Sequence, residues 1–133
     1  MKTLLLLATA ALVLFAATRL LADDFMDPTE AARRVEQGSA ILIDVREPAE
    51  WADTGVATPA VLLPLSDLRG DRTQWKSFLA KHAGKELIVY CRSGTRSGIA
   101  TKLLTAEGHT VANAGAFKHW QDAGLPVRQV EAR

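Results

Sequence analysis

The side chains with the most chemistry in this chain lie between Cys91 and Ser97, in the order Cys-Arg-Ser-Gly-Thr-Arg-Ser. Cys91 is the only cysteine, so no disulfide can form within the chain. The reactive form of a thiol is its anion. Two cations (Arg92 and Arg96), three hydroxyls (Ser93, Thr95 and Ser97) and the amides of a short loop around Gly94 can all favour that anion. The alternative, an inert thiol packed in a core, needs no loop of glycine, serine and two arginines.

The flanking residues explain how such a thiol could be positioned. Leu87-Ile88-Val89-Tyr90 is an apolar run that reads as a buried strand ending at Cys91. From Ser97 onward, Ile99, Leu103 and Leu104 recur at helical spacing, so Ser97 is expected to open a helix. A residue between a strand end and a helix N-terminus stands where open α/β sheets bind ligands. The helix dipole places about half a positive charge there. Loop amides can turn inward as an anion-binding nest.

The rest of the chain alternates helix and strand signals. Asp27-Pro28-Thr29-Glu30 has the cap, the first-turn proline and the acid of a helix start, and Gly38 stops that helix after Gln37. Ala40 to Val45 reads as a buried strand leading into Asp44-Val45-Arg46. A short helix from Pro48 carries Glu50 and Trp51 and ends near Gly55. Val61 to Leu63 is a short strand, and Leu65 to Leu68 is one helical turn. Asp71 with Gln74 is the expected cap of a helix holding Trp75, Phe78, Leu79 and His82. A last strand spans Thr110 to Ala112, and Phe117, Trp120 and Leu125 complete the core. This alternation predicts a single three-layer α/β/α domain with a central parallel sheet and Cys91 at the sheet's C-terminal edge.

Asp44 and Arg46 close a strand beside that of Cys91. Arg46 could bind an anionic substrate or pair with Asp44. Asp44 is expected to be structural, because an acid beside Cys91 would oppose thiolate formation. His109 and His119 are isolated from other ligands, so neither a metal site nor a cofactor is expected.

These motifs together resemble the rhodanese-domain sulfurtransferases. The likeness rests on Cys91-Arg92-Ser93-Gly94-Thr95-Arg96-Ser97, on Ile43-Asp44-Val45-Arg46 with Glu50-Trp51, on Leu63-Pro64-Leu65, and on the Trp120 to Pro126 ending. It covers nearly the whole chain after the N-terminal segment. Two positions depart from the family pattern: Val56 stands in place of a histidine and Pro59 in place of a glycine. The resemblance implies a Cys91 persulfide, formed from thiosulfate or a similar small anionic donor. The sulfur would pass to an acceptor such as cyanide, a thiol or a partner protein. Arg92, Ser93, Gly94, Thr95, Arg96, Ser97 and Arg46 would bind the donor or the persulfide. Two other readings stay open. One is a persulfide carrier or binding module without turnover. The other is a cysteine phosphatase, disfavoured because four residues rather than five separate Cys91 from Arg96.

The N-terminus has a different composition. Lys2 precedes a run from Leu4 to Ala17 that is apolar but for Thr9, and Asp23-Asp24 follow Ala22. Residues 1–22 thus have the form of a secretory signal peptide, with residues 23–133 as the folded domain. Export to a periplasm follows from that reading. An uncleaved membrane anchor is the alternative. Beyond residue 22 the chain retains all 15 acidic residues and loses Lys2 and Arg19 from its 16 basic ones, a formal charge of −1. That balance gives no footing for nucleic acid or for an anionic membrane surface.

Overall fold

The computed structural model describes residues 24–132; the apolar N-terminal segment and its expected cleavage site lie outside them. Four strands form a parallel sheet in the order β3-β1-β4-β5: β1 (Ala40–Asp44), β3 (Val61–Leu62), β4 (Glu86–Cys91) and β5 (Val111–Ala116). Two short strands, β2 (Val56–Ala57) and β6 (Val127–Arg128), pair antiparallel outside it. Six helices link the strands: α1 (Pro28–Glu36), α2 (Pro48–Thr54), α3 (Leu65–Arg69), α4 (Thr73–Lys81), α5 (Thr95–Ala106) and α6 (Phe117–Asp122).

The period-two alternation of side chains along a strand splits the core into two layers. Ile43 and Val45, with Leu87, Val89 and Cys91, pack against Leu65 and Leu68 of α3, Trp75 and Phe78 of α4, and Ala100 and Leu104 of α5. Ala40, Leu42, Ile88 and Tyr90 face the other way, onto Ala31 of α1 and Phe117 and Trp120 of α6. This is the expected three-layer α/β/α domain. β4 lies between β1 and β5, so Cys91 ends an interior strand.

Three boundaries differ from the sequence expectation. Helix α5 begins at Thr95, not Ser97, because Gly94 takes φ +95° and turns the chain directly from the strand into the helix. β5 continues past Ala112 to Ala116 through a register shift opposite Val89 and Tyr90. There Gly115 adopts φ +79°, and its amide donates to Asn113 Oδ1 at 2.9 Å. The cap of α4 is Asp67 rather than Asp71. Asp67 Oδ2 accepts from the amides of Gln74 and Trp75 at 3.1 and 3.0 Å, while Arg72 enters the helix in the left-handed region at φ +59°.

Of the two positions that depart from the family pattern, Val56 is buried and Pro59 is exposed. Val56 and Ala57 are fully buried in β2, and the Ala57 amide donates to Tyr90 Oη at 3.0 Å. Among the described residues no helix is long and apolar enough to cross a membrane.

Candidate active site

Cys91 is fully buried, and its sulfur faces the turn from β4 into α5. Only Arg92, Ser93 and Gly94 separate strand from helix. A turn this tight folds the first amides of α5 back over the strand end, where they have no helical acceptor. The Gly94 amide donates to Cys91 Sγ at 3.0 Å, and Ser97 Oγ lies 3.3 Å from the same sulfur. Burial alone pushes the thiol pKa up. The hydroxyl of Ser97 and the amides of Ser97, Ser93 and Gly94 outweigh it, so the Cys91 thiol lies below its ordinary value.

The two loop arginines have different settings. Arg96 Nη1 and Nη2 donate to Glu50 Oε1 and Oε2 at 2.5 and 2.8 Å, which ties α5 to α2. The Arg96 guanidinium holds the Glu50 carboxyl down to about 2. Arg92 is exposed and has no ion-pair partner among the described residues. Ser93 Oγ and Thr95 Oγ1 lie 3.3 Å apart at the outer rim of the loop.

Arg46 and Asp44 form a closed unit beneath this rim, 2 % and 0 % exposed. Arg46 Nε donates to Asp44 Oδ1 and Oδ2 at 3.1 Å each, and Nη2 donates to Oδ2 at 2.8 Å. Nη1 donates to Thr54 Oγ1 at 2.8 Å, and Nη2 also donates to the Gly55 carbonyl at 2.9 Å. The guanidinium also lies 4.5 Å from the ring centre of Phe117. Burial opposes the Arg46 charge, and the Asp44 hydrogen bonds more than restore it. A cavity of about 460 Å³ opens beside these residues, lined by Arg92, Arg46, Glu50, Thr54, Phe117 and Lys118.

The fold therefore brings Cys91, Ser93, Gly94 and Ser97 together around one sulfur. It places Arg92 at a cavity mouth and engages Arg96 and Arg46 with carboxylates. Three contributors were not visible in the sequence: Glu50 as the partner of Arg96, Asn113, and Phe25. Asn113 Nδ2 donates to the Gly94 carbonyl at 3.0 Å and so holds the loop from the side of β5. The Asn-x-Gly spacing at 113–115 was a hint of local side-chain bonding, but nothing pointed it at residue 94. Among the described residues no three His, Cys, Asp or Glu side chains gather as a metal site.

Comparison with known proteins agrees with this geometry. The model of the rhodanese-like domain matches residues 27–123. A sulfurtransferase of Allochromatium vinosum is 31% identical over 104 residues, covering 71% of this chain and 84% of that protein. An uncharacterized Synechocystis protein is 38% identical over 94 residues, covering 69% of this chain. The match spans 49% of that relative, about half its length. The structure of a human single-domain sulfurtransferase superposes with a TM-score of 0.58 at 29% identity, over 76% of this chain and 96% of that one. With the family model covering most of its length and a strand-end cysteine cradled by loop amides, the chain belongs to the rhodanese-like domain family.

Proposed function

We propose that the protein is a sulfurtransferase that carries a sulfane sulfur on Cys91, taken from thiosulfate or a similar small anion. The observation that carries this reading is the convergence of the Gly94 amide and the Ser97 hydroxyl on Cys91 Sγ. Neutral donors stabilise a sulfur anion without occupying it as a cation would.

In the first half-reaction the Cys91 thiolate attacks the outer sulfur of thiosulfate. The new S–S bond forms as the bond between the two donor sulfurs breaks, and sulfite leaves with the electron pair. The charge then rests on the terminal sulfur of the persulfide, within reach of the loop amides. In the second half-reaction an acceptor attacks that terminal sulfur and Cys91 leaves as the thiolate. Cyanide becomes thiocyanate, and a thiol becomes a persulfide. No oxidant or external reductant is consumed. Cys91 has no exposed surface, so the loop must open for the donor to reach the sulfur. Arg92 is the residue suited to draw the anion in, since no carboxylate among the described residues holds it. Arg96 keeps the loop end fixed through Glu50, and the buried Asp44–Arg46 pair supports the neighbouring strand end.

The terse Cys91–Arg96 spacing favours a single sulfur over a tetrahedral phosphate. The apolar run of residues 1–22 supports export to a periplasm, with a retained anchor as the other arrangement. Thiocyanate formation from thiosulfate and cyanide tests the assignment. Turnover that disappears in Cys91→Ser is the expected result, and undiminished turnover in that variant overturns it. A single loading of sulfur without turnover identifies a carrier instead.

A further inference from the structure

The mechanism leaves one aromatic residue unexplained. Phe25 is one of two large hydrophobic side chains exposed among the described residues, at 37 %. It is also the atom source closest to two glycines of the site. A Cβ on Gly94 would run into the edge of the Phe25 ring, and one on Gly115 would lie 2.7 Å from Phe25 Cδ2. Both glycines have positive φ, +95° and +79°. The ring therefore occupies space that exists only because these residues lack side chains. It covers the outer side of the Cys91 loop.

The same contact is held from below by hydrogen bonds. The Met26 amide donates to the Asn113 carbonyl at 2.8 Å, which fixes the chain next to Phe25. The side chain of Asn113 reaches both glycines: Nδ2 donates to the Gly94 carbonyl, and Oδ1 accepts from the Gly115 amide. The His119 ring sits 6.0 Å from that of Phe25, and both border the space beside Gly115. Gly94 is thus clamped between Phe25 and Asn113 while its amide points at Cys91 Sγ. A left-handed glycine is the most freely rotating residue available for such a turn. Its amide keeps one direction only if neighbouring groups restrict it.

We propose that Phe25 is a positioning residue for Cys91 chemistry, pressing on Gly94 and Gly115 so that the Gly94 amide stays directed at the sulfur. Its effect is carried entirely through Gly94, since the amide, not the ring, touches Cys91. Without the ring, the amide samples other directions and the thiolate loses part of its stabilisation. The charged groups around the loop remain unchanged by a substitution at Phe25. They are Arg92 and Arg96, Glu50 on α2, the Asp44–Arg46 pair, Asp24 together with Lys102 of α5, which line a shallow depression with Phe25, and His119 and Lys118 of α6.

The kinetic side of this inference rests on the sulfur-transfer reading; its chemical side does not. Alkylation of Cys91 by iodoacetamide across pH, in the full chain, reports thiolate formation without any sulfur donor. In Phe25→Ala the profile shifts upward by about one pH unit, so the rate on its rising limb falls by about tenfold at a given pH. The plateau at high pH is retained. Phe25→Leu, which refills much of the space, restores most of the wild-type profile. His119→Gln leaves the profile unchanged, which excludes titration of that ring as the source. Leu125→Ala loosens the opposite core layer away from Gly94 and serves as a destabilised control. An unshifted profile in folded Phe25→Ala overturns the proposal, as does an equal shift in Leu125→Ala. If Phe25→Ala does not fold, Phe25→Val is measured against the same two criteria. A failed sulfurtransferase assignment is seen separately, as absence of thiocyanate from the wild-type protein at every pH.

Discussion

The ends of β1 and β4 lie side by side, with Asp44 opposite Tyr90 and one residue short of Cys91. Each gathers strong hydrogen-bond donors around an ionisable group, yet the two are put together differently. At the end of β1 every guanidinium nitrogen of Arg46 donates to a protein oxygen, and both oxygens of Asp44 accept. The guanidinium is anchored mainly to the protein, with one edge on the cavity wall. At the end of β4 the sulfur receives an amide and a hydroxyl, while Arg96 turns to Glu50 and Arg92 meets no carboxylate among the described residues. A charge paired with a buried carboxylate of its own strand holds structure. A nucleophile supported by neutral donors, with an unclaimed cation nearby, keeps its capacity to meet an incoming anion.

Substitutions should separate the two strand ends, and the largest effect belongs to the sulfur. Cys91→Ser removes the nucleophile and should lower sulfur transfer by on the order of 10³-fold or more, with an unchanged urea midpoint. Asp44→Ala should do the reverse. It leaves a buried guanidinium without its carboxylate and should cost about 3–5 kcal/mol in urea unfolding. A cost below about 1 kcal/mol would mean that the pair behaves like a surface ion pair and that the contrast fails. The double change Asp44→Leu with Arg46→Met should recover much of the loss, because the uncompensated charge is gone.

Finer changes sharpen the picture of the loop. Ser97→Ala removes one donor to the sulfur and should raise the Cys91 pKa. Sulfur transfer should then fall by about tenfold on the rising limb of its pH profile and recover at alkaline pH, as expected for one lost hydrogen bond to an ionised group. Arg92→Ala should raise KM for thiosulfate by a few-fold, roughly, with kcat little changed, and the difference should shrink in salt. The smallest effect concerns Glu50, whose carboxyl is held at about 2 against the ordinary 4.5. A folded-state value below the unfolded one stabilises the protein above pH 4.5, and that stability is lost as pH falls toward 2. Acid titration of unfolding should therefore be steeper in the wild type than in Glu50→Gln over that window. Partial exposure of the pair keeps the difference modest.

What was legible in the sequence was local. The apolar run before Cys91, the glycine and hydroxyls after it, and the i,i+2 proximity of Asp44 and Arg46 all act within a few residues. Strand and helix alternation was enough to place them at one edge of a parallel sheet. The remainder depends on crossovers. Glu50 meets Arg96 across 46 positions, and Asn113 meets Gly94 across 19. Phe25 reaches the loop only because α1 and β5 bring its segment alongside. Asp67 caps α4 from a separate helix across seven and eight residues, where a rule for contiguous caps selects Asp71 instead. Pairing partners of this kind are set by topology, and a single sequence carries no mark of them.

The central claim, that Cys91 accepts and releases one sulfur atom, is tested most directly by intact mass. The purified protein is weighed before thiosulfate, after it, and again after cyanide. The account predicts a gain of one sulfur on Cys91 and its complete return to the starting mass with cyanide. An unchanged mass after thiosulfate, with Cys91 reduced and still alkylatable, would contradict it.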